Sequence, residues 1–412
     1  MIPPGDNRHT RTPGRVTDSV VSMQPHDPQP TPPSALWQLG FRPFYLAAGA
    51  FASLSVAMWA LQISGRLGRP YLLAPAWHAH EMLFGYTMAV IVGFLFTAGR
   101  NWSGQPTPTG RPLQALVLLW VAGRVLVLSP WTWLSAAVNT AFPLAAAVSL
   151  AVPFVRARNQ RNYFFVGLLV LLGLAQLSVH LAQAGVVAIP PWIGLGLGLD
   201  IVLFIMAVMG GRVIPMFTNN GVPGAAARRD LRVERAALGS VLVLLAADVL
   251  RLQGPMLALL LVVCTAAHAL RWMLWQPWTT LRTPLVWVLH AAYLWIPVHL
   301  ALRALAELGQ VPPNLAIHAL TVGAIGGLTI GMMTRTSRGH TARPLAADGW
   351  DVACYLLVAA AAVVRVAGPL VAPAAYVHTV EISAALWSTG FAVFTVRYTP
   401  ILCRPRLDGR PG

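Results

Sequence analysis

Charge is what this sequence has least of. Charged side chains make up 10% of its 412 residues, where a soluble domain carries about 25%. So little charge excludes an ordinary water-soluble globular chain and points to a polytopic membrane protein. The chain has no lysine, and all 29 basic residues are arginine, against 13 acids. A net charge of +16 suits nucleic-acid binding only where the cations share a patch. Here they sit between apolar runs, so nucleic acid is not an expected partner. Cysteine is scarce too: Cys264, Cys354 and Cys403 lie far apart with no CxxC pair, which excludes a disulfide framework and a thiolate metal site. There is no CxxCH segment and no adjacent pair of histidines, so neither an electron-entry module nor the copper pair of a haem-copper oxidase is present. Residues 1–35 hold eight prolines with Arg8, Arg11 and Arg15 and lack an apolar core. They read as a disordered cytosolic tail, not a signal peptide.

What the chain has instead is long apolar runs. About 20 apolar residues span a bilayer core as a helix, and twelve such runs are expected, near 44–63, 82–98, 113–128, 131–154, 163–184, 192–212, 235–252, 256–274, 285–305, 315–333, 352–371 and 374–396. The third and fourth are separated only by Ser129 and Pro130 and read equally as one broken element. With both termini in the cytoplasm, 23 arginines fall on the inner side and four on the outer, with Arg124 and Arg365 inside helices. That asymmetry is the positive-inside pattern. The fold class is therefore all-α, a transmembrane bundle over 36–400, followed by a short basic tail, 401–412. A cytoplasmic loop over 212–235, with NNGVPG and five arginines, divides the helices six and six, as in many transporters. No sequence echo links the halves.

The densest chemistry lies in WHAHEMLFGYTMAVIVGFLFTAGRNW, residues 77–102. Two imidazoles and a carboxylate at the rim of a membrane helix are costly unless solvated, paired or metal-bound. On this topology His78, His80, His180, His299, His318 and His378 all lie near the outer face. Imidazole is the commonest transition-metal ligand and a usual axial ligand of haem, so the outer set suggests a metal or haem site. His78 and His80 stand about 200° apart around a regular helix and cannot share one metal there. Glu81 follows His78 at i+3 and is expected to orient that imidazole or carry a proton. His268, His290 and His340 form a smaller inner set. Asp200, among Gly194, Gly196 and Gly198, reads as close helix packing. Arg212, Arg335 and Arg343, with Arg338, His340, Asn219 and Asn220, gather at the inner face, where anchoring is favoured over an anion site.

Several stretches resemble one family. LGFRPFYLAAG, WHAHEMLFGYTMAVIVGFLFTAGRNWSG, GGRVIPMFTNNGVPG, LVWVLHAAYLWIP and IHALTVGAIGGLTIGMMTRTSRGHTARPL are similar to signatures of the NnrS proteins, bacterial membrane proteins linked to nitric oxide metabolism and, through it, denitrification. The resemblance covers about 36–397. It implies a bacterial inner-membrane location, haem and copper as cofactors, and a role against nitrosative stress. Carried over by motif, the implied ligands are His78, His80, His290, His318 and His340, with His180 a looser match. Ala342 stands where the last motif carries glycine.

Two functions follow as expectations. The first is a haem- and copper-binding membrane protein of the nitric oxide response, whether or not it is catalytic, with His78, His80, His180 and His318 holding metal near the outer face. The alternative is a twelve-helix transporter or exporter of a metal, haem or metal-nitrosyl species. The lipid bilayer, and nitric oxide or a small metal species, are the partners implied.

Overall fold

The computed structural model describes residues 34–63, 66, 71–72 and 74–410. The expected tail over 1–35 lies outside them, save that Ala35–Trp37 forms a short 3-10 turn. Within the described residues every regular element is helical and no strand is present. The expected break at Ser129 and Pro130 is real, separating two full helices.

Twelve rods result. They are α1, Phe41–Ile63; α2, built of Ala74–His80, a π-helical stretch Glu81–Thr87 and Met88–Ser103; α3, Gly110–Leu126; α4, Thr132–Arg156; α5, Tyr163–Gln183; and α6, Pro191–Gly221. Then follow α7, Leu231–Val249; α8, Pro255–Leu274; α9, Pro284–Glu307; α10, built of Pro313–His318, a π-helical stretch Ala319–Gly326 and Gly327–His340; α11, Gly349–Val371; and α12, Tyr376–Cys403. Ten are long and apolar enough to cross a membrane, and the chain is a multi-pass membrane protein. The other two are α3 and α7. The first has 17 residues and carries Arg111 and Arg124, while the second carries Arg232, Glu234, Arg235 and Asp248.

Neighbours in sequence pack as neighbours in space, and α1 closes the ring against α12. The Arg42 guanidinium donates to the carbonyls of Leu402 and Arg404, both at 2.8 Å, so the start of the first helix meets the end of the last. Both ends of the bundle thus lie at one face, as an even number of crossings requires. The most buried span is α2, with 78% of its most apolar window covered against 33% for α1, α8 and α12. It sits inside the ring with α6, α9 and α10. The outward surfaces carry exposed apolar side chains such as Leu118, Val148, Leu259, Val363 and Val396, which in a bilayer face hydrocarbon.

Two boundaries differ from the expectation. Helix α6 continues past Arg212, through Pro215, to Gly221, which shortens the expected loop. The fall in hydropathy at Arg212 marks polar decoration of a continuing helix. Asn219 then holds the shortened loop, donating to the Ala227 carbonyl at 3.1 Å and accepting its N–H at 2.7 Å. The C-terminal stretch is also not free: Arg406 donates to the His340 carbonyl at 3.0 Å, and the Leu407 N–H to that of Thr341 at 3.2 Å. Arg406 hydrogen-bonds Asp408 as well and holds its carboxyl down at about 2.

Most buried charges are paired. Arg271 on α8 forks onto Glu234 of α7, at 2.9 and 2.6 Å, and donates to the Ala207 carbonyl and the Tyr293 hydroxyl. His268 completes this cluster, with Nδ1 against the same hydroxyl at 2.8 Å and Nε2 donating to the Ala237 carbonyl at 3.1 Å. The guanidinium fits because residue 211 is glycine: a Cβ there would lie 1.8 Å from Arg271 Nη2. Gly211→Ala is therefore expected to displace Arg271 from Glu234 and cost about 3–5 kcal/mol, the order of breaking a buried ion pair. A lowered unfolding midpoint of the detergent-purified variant would show it, and a midpoint like the parent's would refute it.

Candidate functional site

The start of α2, the end of α5 and the start of α10 lie at the bundle end opposite Arg42. His78, His80, His180 and His318 are all there. They do not converge, however, and among the described residues no group of three or more His, Cys, Asp or Glu side chains is placed to hold a metal ion. Two pairs form instead. The first turns of α2 are regular helix, so His78 and His80 leave on opposite sides, as their spacing requires.

His80 and His180 make the inner pair. Both are fully buried, and their rings meet edge to face with centroids 4.9 Å apart. His80 Nδ1 lies 2.7 Å from Glu81 Oε1, and the same oxygen accepts from Arg124 at 2.8 Å. Arg124 also donates to Asn139 Oδ1. Gly85 leaves room for this guanidinium, since a Cβ there would stand 2.4 Å from Arg124 Nη1. On the other side, His180 Nδ1 is 2.5 Å from the Tyr71 hydroxyl, which is itself 3.1 Å from Ser135 Oγ. Gln176, one turn before His180, sets its amide nitrogen 3.2 Å from His80 Nε2. His180 Nε2, Glu81 Oε2 and Gln176 Oε1 are buried without a partner. Each imidazole is thus held at Nδ1 by an oxygen, which leaves Nε2 of His180 free to bind a metal, whereas Nε2 of His80 would first give up the Gln176 amide.

Glu81 consequently serves His80 and not His78, against the i+3 expectation. The cause lies on another helix, because Arg124 of α3 draws the carboxylate toward α4 and α5. His78 turns the other way and stacks on Trp59 at 4.7 Å.

His78 and His318 make the second pair, as parts of the wall of one cavity of about 360 Å³. That volume lies near the lower end of the range for small-molecule sites. Its wall is largely apolar, with Met82, Tyr86, Ile325 and Trp387 among its members, and Arg365, Tyr376, Thr87, Thr321 and Ser383 are its other polar members. His318 Nδ1 donates to the Asn314 carbonyl at 2.6 Å, which leaves Nε2 as the lone-pair nitrogen. His78 Nδ1 and Arg365 Nη1 are buried without a partner, and Arg365 Nη2 reaches the Tyr376 hydroxyl at 3.4 Å. A buried guanidinium with an unused donor beside two imidazoles is built for an anionic group.

The remaining candidates stand elsewhere. His290 Nε2 lies 2.8 Å from Thr218 Oγ1, and the His340 ring packs on Phe41 at 5.6 Å. His299 donates through Nδ1 to the Ala316 carbonyl at 2.7 Å. His378 and Glu381 form an exposed pair at 3.2 Å. Asp200 does more than pack: its carboxylate lies 3.7 Å from Arg303, which also binds Asp248. The arginines expected at the inner face are dispersed. Arg212 donates to Asn162 at 3.0 Å and stacks on Trp102, Phe164 and Phe165, while Arg335 lies 3.8 Å over Phe217. Burial and the neighbouring Arg404, Arg338 and Arg397 lower the pKa of Arg343. Arg212 and Arg335 are thus held by aromatic packing, and Arg343 Nη1 is buried without a partner.

Sequence reasoning overlooked Arg124, Arg365, Tyr71, Asn139 and Gln176. The signal for the first two was available, since they are the arginines that the positive-inside count left within the membrane. Arg124→Ala is expected to destabilise the protein by about 3–5 kcal/mol, because it leaves Glu81 buried with only His80. Adding Glu81→Leu is expected to recover part of that loss, and denaturation of both variants in detergent checks the coupling. Strict additivity of the two substitutions would contradict it. The sequence profile of the family described as NnrS protein matches residues 35–406, nearly the whole chain, and the chain belongs to that family. No curated protein matches it.

Proposed function

We propose that this NnrS family member is a haem- and copper-binding protein of the bacterial nitric oxide response, with two separate histidine sites near the outer face of the inner membrane. The observation that carries this reading is the division of four histidines into two pairs, each with a buried ring nitrogen that has no partner in the fold, on His180 and on His78. The cavity between α2 and α10 suits haem: His78 and His318 offer imidazoles, Trp59 backs one of them, and Arg365 with Tyr376 would receive a carboxylate. The buried His80 and His180 pair suits copper, because imidazole is a good ligand for it.

A bound haem or copper would supply a redox centre able to take a diatomic ligand. The chain's own residues set how such a centre is held. Glu81, fixed by Arg124, orients His80 and raises its basicity, and Tyr71, backed by Ser135, does the same for His180. The apolar wall around His78 and His318 excludes water and strengthens every electrostatic contact made there. Gln176 sets its amide nitrogen against His80 Nε2 and Asn139 Oδ1, at 3.2 and 3.3 Å.

The first experiment is an optical spectrum, oxidised and reduced, with metal analysis on the same purified sample. A Soret band that shifts on reduction and on addition of nitric oxide is expected. His78→Ala or His318→Ala is expected to remove that band and spare copper, whereas His80→Ala or His180→Ala removes copper and spares the band. Glu81→Gln is expected to weaken copper binding about 10-fold or more. Full retention of both metals in all four alanine variants would reject the assignment, and a folded, metal-free parent would move the weight to transport.

The cytoplasmic placement of both termini is part of the same proposal. Cys403 is exposed at the end of α12, while Cys264 and Cys354 are buried, so one thiol reports orientation. A membrane-impermeant maleimide is expected to label Cys403 in inverted vesicles and not in intact spheroplasts. Labelling from outside would reverse the topology.

A further inference from the structure

Below the histidine-lined cavity lies a second, smaller one of about 90 Å³. The two share Thr87 and Ile325 as lining residues, and each of these sits in the closing turn of a π-helical stretch, one in α2 and one in α10. The lower chamber is walled by apolar side chains of α2, α6, α9 and α10, among them Phe94, Ile205, Met209, Leu289 and Met332.

Of the three hydroxyls on its wall, that of Tyr45 is buried without a hydrogen-bond partner, and those of Thr87 and Thr329 are committed to the helices. Thr87 donates to the Met82 carbonyl at 2.8 Å, and Thr329 shares its hydroxyl between the carbonyls of Ile325 and Gly326, at 2.6 and 2.9 Å, while also meeting the Tyr86 hydroxyl. A buried water needs two to four polar partners, and a roomy cavity without them stays dry and takes nonpolar guests. An ion would lose its hydration there with nothing in return. The chamber also lies at mid-depth, against the middle of α6, where hydrocarbon surrounds the bundle. Nonpolar gases prefer that phase to water.

From these facts we infer that the lower chamber is a dry reservoir for small nonpolar molecules of the size of a diatomic gas, adjoining the histidine-lined cavity through a partition formed by Thr87 and Ile325. The reservoir stands on packing and hydrogen bonding alone, whichever metal the upper cavity holds.

Xenon is the probe, because it binds such cavities without any chemistry. A crystal of the whole protein under xenon pressure is expected to show anomalous density inside the chamber. Met209→Trp and the smaller change Ile205→Phe, both of which project into it, are expected to abolish or strongly reduce that density, and either suffices if the other misfolds. No xenon in the parent, ordered water, elongated lipid density in the chamber, or undiminished xenon in the filled variants would each overturn the inference. Xenon binding needs no metal, so its failure is distinct from failure of the haem and copper assignment.

Discussion

A carboxylate and a guanidinium meet in the buried interior of the bundle, and much of the histidine end depends on that meeting. Glu81 is fully buried and accepts from Arg124 at 2.8 Å. Taking both charges from water costs several kcal/mol each, and only their attraction, together with further hydrogen bonds, offsets it. Those further bonds are the site itself: His80 on one carboxylate oxygen, and Asn139 on the guanidinium. Removing either charge would strand the other, and removing Glu81 would also release the imidazole. The ion pair therefore fixes the azimuth of α2 and the direction of His80 together.

The same physics recurs through the bundle. Glu234 with Arg271 and Asp248 with Arg303 each join two helices, as Asp351 with Arg338 does at the arginine-rich face. In a bilayer the hydrophobic effect does not choose between helix and lipid as neighbours. Directional polar pairs can, because an unpaired charge in hydrocarbon is costly. An acid in this sequence is rare, and most of those buried in the bundle hold one helix to another. This accounts for Asp200, whose glycine-rich setting disguised its place beside Arg303 and Asp248.

How much could be read in advance followed from the range of each interaction. Helix number is a local property, set by hydropathy over a single span, and the twelve rods were legible, including the break at Pro130 that left two readings open. The opposite directions of His78 and His80 follow from helical geometry alone, and so were legible. The partner of Glu81 was not. The i+3 rule points it at His78, whereas Arg124, 43 residues away, pulls it to His80. Nor could the polar run after Arg212 show whether the chain left the helix or only the membrane. The pairing of His78 with His318, 240 positions apart in sequence, needed the packing of α2 against α10.

The π-helical stretches of α2 and α10 carry a consequence of their own. A π turn holds an additional residue relative to the α-helical path, and one residue is about 100° of rotation. Each stretch thus acts as a phase shifter within its rod. In α2 it allows His78 and His80 to be set by Trp59 and Arg124 at one end, while Gly93 and Phe96 seat against α1 at the other. The two ends answer to different neighbours without conflict. For these two rods residue number becomes a structural quantity in its own right: shortening either stretch by one position would keep every other side chain yet turn one end of the rod away from its partners.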